Sequence, residues 1–256
     1  MNIQLDQSLV TKYSSPTQRI RVMSEAWTNQ YIFCAACGQS LRRAQANQAV
    51  LDFYCSGCSE QYELKSKRGL FSARVVDGAY DSMMARLKSA QAPNFFFLSY
   101  EPTQLQVLDF FVIPGYFFAL DTIEKRPALS PSARRAGWVG CNILLDQIPE
   151  SGRIHYVKNR NPVPEKTVTA AWSKTSFLKG TKDLELKGWT IDVMRCIESR
   201  GLGEFSLADA YGFEQELQGR HPKNNHVRDK IRQQLQKLRD KGYLEFKGRG
   251  SYRLIP

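Results

Sequence analysis

Residues 50–65 read Val-Leu-Asp-Phe-Tyr-Cys-Ser-Gly-Cys-Ser-Glu-Gln-Tyr-Glu-Leu-Lys, a Cys-x-x-Cys pair between two short runs that could pair as strands. Because side chains two residues apart on a strand share a face, Glu63 and Lys65 would project together. If the cysteine pair is the turn of a hairpin, the paired strand can bring Asp52 beside them. The stretch therefore predicts two carboxylates and an ammonium group that converge.

This grouping suits metal-assisted hydrolysis of a phosphodiester. Carboxylates such as Asp52 and Glu63 are hard oxygen ligands for Mg²⁺, which binds one or two of them together with substrate phosphate. The ammonium group of Lys65 can orient or activate the attacking water and offset developing negative charge. An Asp, a gap of ten residues and then Glu-x-Lys also arises by chance, so a surface salt bridge on an edge strand stays as the alternative.

The same stretch holds half of a metal-binding pattern. Cys34-Ala-Ala-Cys37 is followed after 17 residues by Cys55-Ser-Gly-Cys58, the four-cysteine spacing of a zinc ribbon. Four thiolates satisfy tetrahedral Zn²⁺ and leave no open position, so the predicted site is structural. Gly38 and Gly57 can supply the backbone freedom of such turns. Disulfides and a redox pair are the less favoured alternatives, and the other two cysteines are expected in the core: Cys141 and Cys196.

The flanking chain predicts an α/β domain. Ser15-Pro16 marks the start of a helix over about 16–29, and Asp77 can cap a second helix that ends before Pro93. Two apolar runs follow, 95–98 and 107–113, which we interpret as buried strands. Strand, helix and strand form a βαβ unit, so we expect a mixed sheet in a catalytic domain over residues 1–180.

Residues 181–256 predict a winged helix. Apolar positions 189–197 indicate a first helix, Ser206 can cap a second, and Asn224 or Asn225 can cap a third. In the third helix Val227, Ile231, Leu235 and Leu238 form one stripe. A hairpin with a basic tip closes the chain. We expect DNA contacts from the exposed side chains of this module: Asn225, Arg228, Arg232, Gln233, Gln236, Lys247 and Arg249. Arginine and glutamine in a major groove can recognise guanine and adenine edges.

The charge balance agrees with a nucleic-acid partner. The 256 residues carry 36 Lys+Arg against 25 Asp+Glu, a net charge of +11, and residues 221–256 alone carry 10 basic and 3 acidic side chains. The longest apolar stretch, 108–120, is too short for a membrane span, and the first ten residues do not resemble a secretory signal. We therefore expect a cytoplasmic protein that binds no membrane.

Asp52, Glu63 and Lys65 resemble the motif of the PD-(D/E)xK nuclease superfamily, whose fold has a helix before the sheet, a catalytic hairpin and a crossover helix. Leu51 stands where that motif has proline. Nucleases with ββα-metal sites also carry cysteine pairs but need a histidine base beside the metal. That class is disfavoured, because the three histidines lie far downstream of the cysteines: His155, His221 and His226.

Along essentially its whole length the chain is similar to methyl-directed restriction endonucleases of this superfamily. The segments that carry the resemblance are 52–55, 58–67, 77–80, 93–97, 133–138 and 230–235. The resemblance implies a Mg²⁺-dependent type II enzyme that cuts double-stranded GATC only when the adenine is N6-methylated, with both domains engaging methylated sites. It also implies a monomer that needs no protein partner, with the backbone carbonyl of Leu64 as a third Mg²⁺ ligand.

Trp138 follows Arg134 and Arg135 in a glycine-containing loop. Such a residue could be a core tryptophan, the commoner fate of this residue type, or equally an indole that wedges against a base or methyl group of DNA, which the flanking glycines and arginines suit. We predict DNA contacts from all three residues. The alternative for the whole chain is a non-enzymatic zinc-ribbon and winged-helix regulator in which the acidic pair and the lysine only form surface ion pairs.

Overall fold

The computed structural model describes residues 1–44, 51–89, 92–181 and 183–255. Val50, the first residue of the predicted hairpin, lies outside the described residues. The helices are α1 Pro16–Tyr31, α2 Tyr80–Lys88, α3 Glu165–Thr175, α4 Leu184–Ser199, α5 Leu207–Tyr211, α6 Glu214–Arg220 and α7 Val227–Asp240. The strands are β1 Leu41–Arg43, β2 Phe53–Cys55, β3 Gln61–Arg68, β4 Arg74–Ala79, β5 Asn94–Glu101, β6 Gln106–Ile113, β7 Ile123–Lys125, β8 Gly140–Leu144, β9 Ile154–Lys158, β10 Asn161–Pro162, β11 Glu204–Ser206, β12 Leu244–Gly248 and β13 Ser251–Leu254.

Contacts divide the chain into two compact units. The first unit contains Met1–Val75, Ser89–Tyr116 and Gly152–Ser173, and the second contains Val76–Lys88, Phe117–Ser151 and Lys174–Pro256. Each unit is assembled from segments that are separated in sequence. The sequence predicts instead two consecutive domains that meet at residue 180, and this boundary stays a prediction.

A mixed sheet forms the centre of the first unit, as the sequence predicts. Its strand order is β1-β2-β3-β5-β6-β9-β10. The β3–β5 pair is parallel, and the other described pairs in this sheet are antiparallel. Parallel neighbours require a long connection, and the chain between β3 and β5 contains β4 and α2.

Aromatic residues cover both faces of this sheet. On one face Tyr62 stacks on Phe96 with ring centroids 4.5 Å apart, and Phe110 lies 5.1 Å from Phe96. On the other face Phe97 stacks on Phe111 at 5.0 Å. A sheet that is apolar on both faces must be buried on both, and this explains why the predicted runs 95–98 and 107–113 show no alternation of polar and apolar residues.

Helix α1 confirms the predicted first helix and extends two residues beyond it. Pro16 occupies the first turn, where its missing N–H costs no hydrogen bond, and Met23 and Trp27 are buried on one side. The indole of Trp27 lies 5.3 Å from the ring of Phe110. The helix therefore covers the face of the sheet that holds Tyr62 and Phe96.

The start of α2 differs from the prediction. Asp77 was expected to cap this helix, but residues 74–79 form β4, and α2 begins directly at Tyr80. The backbone N–H of Tyr80 donates to the carbonyl of Val139, 3.1 Å away. Strand β4 belongs to the sheet β4-β8-β7, and this strand pairing outweighs the capping tendency of an aspartate.

The winged helix in the second unit agrees with the sequence in outline. Helix α4 is buried from Trp189 to Ile197 apart from Arg195, and the α7 stripe of Val227, Ile231, Leu235 and Leu238 is at most 3% exposed. Strands β12 and β13 form the predicted hairpin, and β11 pairs with β13 to complete a three-stranded wing. The two unassigned cysteines, Cys141 and Cys196, are fully buried as predicted.

Two local predictions in this module are wrong. Ser206 caps α5 with a reciprocal bond to Asp209, but the chain turns at Gly212 and starts a separate helix α6, so the single predicted second helix is two short ones. The residue before α7 is His226, and Asn224 accepts a 2.8 Å bond from its backbone N–H instead of capping the helix itself. Asn225 is exposed beside this turn. None of the helices in the described ranges combines the length and the apolar character needed to cross a membrane.

Candidate functional site

The four predicted zinc ligands meet at one point in the first unit. The Sγ atoms of Cys34 and Cys58 lie 3.4 Å apart, those of Cys37 and Cys55 also lie 3.4 Å apart, and all four fall within 4.8 Å of one another. A tetrahedral ion with Zn–S bonds of about 2.3 Å separates its sulfurs by about 3.8 Å. The cluster could therefore hold one zinc ion with no position left for substrate.

The two cysteine turns have the same backbone geometry. Gly38 N–H donates to the Cys34 carbonyl over 2.8 Å, and Ser59 N–H donates to the Cys55 carbonyl over 2.9 Å. The residue after each pair has a left-handed φ, +76° at Gly38 and +62° at Ser59. The predicted role of Gly57 in backbone freedom is therefore wrong. A Cβ at Gly57 would lie 2.1 Å from Gln39 Oε1, the end of an exposed and flexible side chain that can move aside.

A buried phenol contacts the cysteine cluster. The hydroxyl of Tyr62 lies 3.1 Å from Cys34 Sγ, and Tyr62 is 0% exposed. Burial raises the pKa of the Cys34 thiol to about 11, and burial also raises the pKa values of Cys58 and Tyr62 above their ordinary values. These thiols therefore favour the protonated form unless a cation compensates for their charge. Such a cluster couples metal binding to proton release.

The predicted hairpin forms and places Asp52 beside β3. Phe53 pairs with Tyr62 and Tyr54 with Gln61 in antiparallel register. Just before β2, Asp52 N–H donates to the Tyr62 carbonyl over 3.1 Å, and Asp52 Oδ2 accepts a 2.7 Å bond from the N–H of Leu64. Strand β2 begins at Phe53, so no β2 residue pairs with Leu64. The Asp52 side chain accepts the Leu64 N–H bond instead.

Glu63 and Lys65 form an ion pair next to this aspartate. Lys65 Nζ lies 2.5 Å from Glu63 Oε1, and the side chains are 19% and 14% exposed respectively. Lys65 Nζ also lies 5.4 Å from the centre of the Phe95 ring. Both side chains project from one face of β3, as the spacing of two predicts, and the neighbouring aromatic ring limits the water around the ammonium group.

The backbone of Leu64 lies between the acidic residues. In a strand the N–H and C=O of one residue point to the same side, and the Leu64 N–H points to Asp52. Its carbonyl oxygen therefore points to the Asp52 side, beyond the end of β2. The side chain of Leu64 is half-buried.

Residues of α1 near this hairpin were missed by the sequence analysis. Arg21 Nε lies 2.6 Å from Glu25 Oε1, and Arg43 contacts the other oxygen of Glu25. The bond to Glu25 raises the pKa of Arg21 above its ordinary value, and the negative charge of Asp52 adds to the shift. The spacing of four between Arg21 and Glu25 was visible, but nothing in the sequence placed it beside a residue 31 positions away from Arg21.

In the second unit the three predicted loop residues lie close together between β7 and β8. Arg134 and Arg135 are exposed and Trp138 is half-buried. The guanidinium carbon of Arg135 lies 4.9 Å from the centre of the indole, and a Cβ at Gly140 would come within 2.8 Å of the ring. The indole is thus neither a core residue nor free, but is supported by a neighbouring guanidinium and the backbone of Gly140.

The outer face of α7 presents the predicted polar side chains. Arg228, Arg232, Gln233 and Gln236 are all exposed. Arg228 Nε pairs with Glu214 over 2.8 Å, and Arg232 donates to the Tyr211 hydroxyl over 2.7 Å. These bonds to α5 and α6 restrict two long side chains that otherwise would be mobile.

The wing tip also presents its predicted basic residues. Lys247 and Arg249 are exposed, and Lys247 Nζ lies 3.4 Å from Glu245. The turn between β12 and β13 has positive φ values at Gly248, Arg249 and Gly250. Arg249 is therefore held in the left-handed region at the point of the hairpin where its side chain is most accessible.

A buried ionic cluster inside the second unit was not predicted. Asp192, which is 2% exposed, lies 2.7 Å from Arg220 Nε and 2.8 Å from His221 Nε2. The His221 ring stacks on Trp189 with centroids 3.9 Å apart. The sequence did contain one sign of this cluster, the single aspartate within the apolar pattern of α4. A charged residue is buried in a protein core only where it has partners.

The fold and these sites define the class: an α/β protein with a four-cysteine cluster, an acidic pair and lysine on a hairpin, and a C-terminal helix-turn-helix domain of the winged type. A family model named DpnI, described as the Dam-replacing family, matches residues 1–181, and a second, the Dam-replacing HTH domain, matches residues 185–254. The chain belongs to the Dam-replacing family. The resemblance found in the sequence is confirmed, and in general terms the protein is a methylation-dependent restriction endonuclease with a DNA-binding C-terminal domain.

Proposed function

We propose that this protein is a Mg²⁺-dependent type II endonuclease that hydrolyses phosphodiester bonds of double-stranded DNA at GATC sites whose adenine is N6-methylated. The observation that carries the proposal is the fixed Asp52 carboxylate beside the Glu63–Lys65 pair. Family membership supports methylated DNA as the substrate class.

The donor set on the hairpin fits Mg²⁺. Asp52, Glu63 and the carbonyl of Leu64 offer only oxygen ligands, and Mg²⁺ prefers oxygen and keeps several waters when bound by few carboxylates. When bound, the ion would polarise the scissile phosphate and lower the pKa of a bound water. The four-cysteine cluster offers only sulfur, so the two metals are separated by ligand chemistry, with structural Zn²⁺ in the cluster.

Each chain residue of the proposed site has its own task. The N–H of Leu64 holds the Asp52 carboxylate in one orientation, and the ion pair with Glu63 holds Lys65 on the same face of β3. In the presence of substrate, the Lys65 ammonium would orient the attacking water and stabilise negative charge as the P–O bond breaks. The proton of the water passes to solvent or substrate oxygen, so the lysine stays charged.

Strict dependence on methylation needs more than burial of a methyl group. One buried methyl contributes about 0.8 kcal/mol, roughly a fourfold preference, and two on a palindromic site about fifteenfold. We therefore propose that the preference is multiplied by two readers: the predicted catalytic domain of residues 1–180, through Trp138 and its arginines, and the winged helix, through α7. Coupling of methyl contact to the cleavage step would add further discrimination.

The decisive experiment incubates the full chain with Mg²⁺ and GATC-containing plasmid in methylated and unmethylated form. We expect cutting of methylated plasmid only, loss of cutting in Asp52→Ala, and retained binding by that variant. Equal cutting of both plasmids would refute the methyl requirement. Binding of DNA by the wild type with no cutting in Mg²⁺ would instead support a non-enzymatic regulator.

Two further expectations belong to this proposal. The chain should act as a monomer with double-stranded DNA as its required partner, in the cytoplasm. In the full chain, substitution of Arg232 and Gln236 by alanine should lower the ratio of methylated to unmethylated cleavage without unfolding the protein, because both side chains are exposed. An unchanged ratio would show that the winged helix is not a reader.

A further inference from the structure

The proposed function does not yet name the residues of the first unit that hold the DNA duplex during cleavage. The predicted DNA-contacting side chains, in the loop with Trp138 and in the winged helix, all belong to the second unit, whereas Asp52, Glu63 and Lys65 belong to the first. The unit that cleaves must itself hold the scissile duplex in register, because catalysis depends on placing the phosphate to within about an ångström. The first unit therefore needs a DNA-binding surface of its own.

The segment that leaves the proposed active site is strongly basic. Residues 64–76 read Leu-Lys-Ser-Lys-Arg-Gly-Leu-Phe-Ser-Ala-Arg-Val-Val, with four basic and no acidic side chains. Lys67 lies two positions after Lys65 on β3, so it projects from the same face as Glu63 and Lys65. Lys67, Arg68 and Arg74 are all exposed. Positive charge thus continues from Lys65 to Lys67 on one face of the strand, and Arg68 adds a cation on the other face at the end of β3.

An apolar side chain stands in the middle of this basic segment. Leu70 is 61% exposed, among the largest values for apolar side chains of the described residues. Its neighbours on both sides are anchored. Gly69 N–H donates to the Tyr100 carbonyl over 2.9 Å, and the Phe71 ring packs edge-on against Phe97 at 5.2 Å.

The anchors restrict where Leu70 can point. Gly69 has φ of +66°, a conformation that lets the chain leave β3 abruptly, and Phe71 returns it to the sheet. Lys67 Nζ lies 6.0 Å from the centre of the Phe71 ring, so the cation is also held at this turn. Because Gly69 and Phe71 are held in place, the backbone at Leu70 cannot easily fold back to bury the leucine side chain.

We propose that residues 67–74 form the DNA grip of the nuclease unit, in which Lys67 and Arg68 bind backbone phosphates and Leu70 enters the groove of the duplex being cut. Leu70 lies five residues beyond Lys65, at most about 18 Å along the chain, roughly half of a ~34 Å helical turn of DNA. The same duplex can therefore reach both. Apolar side chains inserted between bases with flanking cations are a known way to hold bent DNA. This inference rests on the proposed function.

Salt dependence tests the phosphate contacts. Equilibrium binding of a methylated GATC duplex to the full chain is measured without Mg²⁺ over about 50–200 mM salt, where each lost phosphate contact reduces the slope of log affinity against log salt by about 0.9. We expect Lys67→Ala and Arg68→Ala each to reduce the slope by about one. The matched control is Lys12→Ala, an exposed lysine of the same unit whose Nζ lies 5.7 Å from the Tyr13 ring.

The leucine should show a different signature. Leu70→Ala should lower kcat/KM about tenfold, equivalent to about 1.4 kcal/mol, while the salt slope stays unchanged. Leu9→Ala is the matched control, because Leu9 is 43% exposed in the same unit and has no basic neighbours within two residues. Thermal melting should be unaltered in all five variants, since the substituted side chains are exposed.

The outcomes separate this inference from the proposed function. Wild-type cleavage with unchanged rate and slope in Lys67→Ala, Arg68→Ala and Leu70→Ala would overturn the grip and leave the endonuclease proposal standing. Equal effects in the Lys12→Ala and Leu9→Ala controls would also overturn it. Absence of wild-type cleavage would remove the endonuclease proposal and the grip with it.

Discussion

The carboxylate of Asp52 accepts a 2.7 Å hydrogen bond from the backbone N–H of Leu64, the residue between Glu63 and Lys65. A side chain just before one strand, β2, is thus fixed by the backbone of the strand that carries the other two functional groups, β3. Because the bond is to the backbone, it does not depend on the side chain at position 64. It aligns Asp52 with the Glu63–Lys65 pair before any substrate arrives.

Because of this bond, one substitution can remove the charge of Asp52 and keep its hydrogen bond. In Asp52→Asn the amide oxygen can still accept from Leu64, but the negative charge is gone. We expect single-turnover cleavage to fall at least about 10³-fold with binding retained, because electrostatic groups at the reacting centre contribute on this scale. Asp52→Ala should in addition lower the free energy of unfolding by about 1 kcal/mol, from the lost hydrogen bond. Cleavage by Asp52→Asn within tenfold of wild type would contradict a ligand role.

Removal of zinc should destabilise the first unit. We expect one Zn²⁺ per chain by elemental analysis, and a fall in the thermal midpoint by more than about 10 °C on chelation or in Cys55→Ser, because metal binding contributes directly to folding. Cys141→Ser is the control. Cys141 is fully buried but lies outside the four-cysteine cluster, so this variant should retain the metal. Retention of a full equivalent of zinc by Cys55→Ser would be inconsistent with the site.

Asp192 should be required for folding of the second unit. It is 3% exposed as a side chain and pairs with Arg220 and His221, so Asp192→Ala leaves two buried cationic or polar groups without their partner. We expect a loss of about 3–5 kcal/mol in the free energy of unfolding, measured by denaturant titration. The control Asp240→Ala removes an exposed ion pair with Arg239 and should cost no more than about 1 kcal/mol. Similar losses in the two variants would argue against the buried cluster.

The outer face of α7 should determine specific affinity. Gln233→Ala removes an exposed amide that can pair with an adenine edge, and we expect methylated GATC binding to weaken by about 1–3 kcal/mol with an unchanged salt slope. Gln215→Ala on α6 is the matched exposed amide and should have no effect. Binding is measured by fluorescence anisotropy. If Gln233→Ala weakened binding to random duplex equally, the residue would be a general contact and not a reader.

Much of this protein was determined by local sequence. The cysteine spacing, the two-residue periodicity of Glu63 and Lys65 and the apolar stripe of α7 are short-range patterns, and each is found where predicted. Helix ends were less predictable. Asp77 and Asn225 have good capping chemistry, but strand pairing and a neighbouring turn decided where α2 and α7 begin.

Only the tertiary structure decided which distant residues meet. Arg21 comes close enough to Asp52 for their charges to interact, Asp192 pairs with Arg220 and His221, and Leu70 stays exposed between two anchors, because packing of the sheet and helices sets these distances. Local periodicity specifies which face a side chain occupies, whereas contacts between segments far apart in the chain depend on how whole elements pack. For that reason the candidate zinc ligands and the proposed catalytic residues could be predicted from the sequence, whereas the residues that surround them could not.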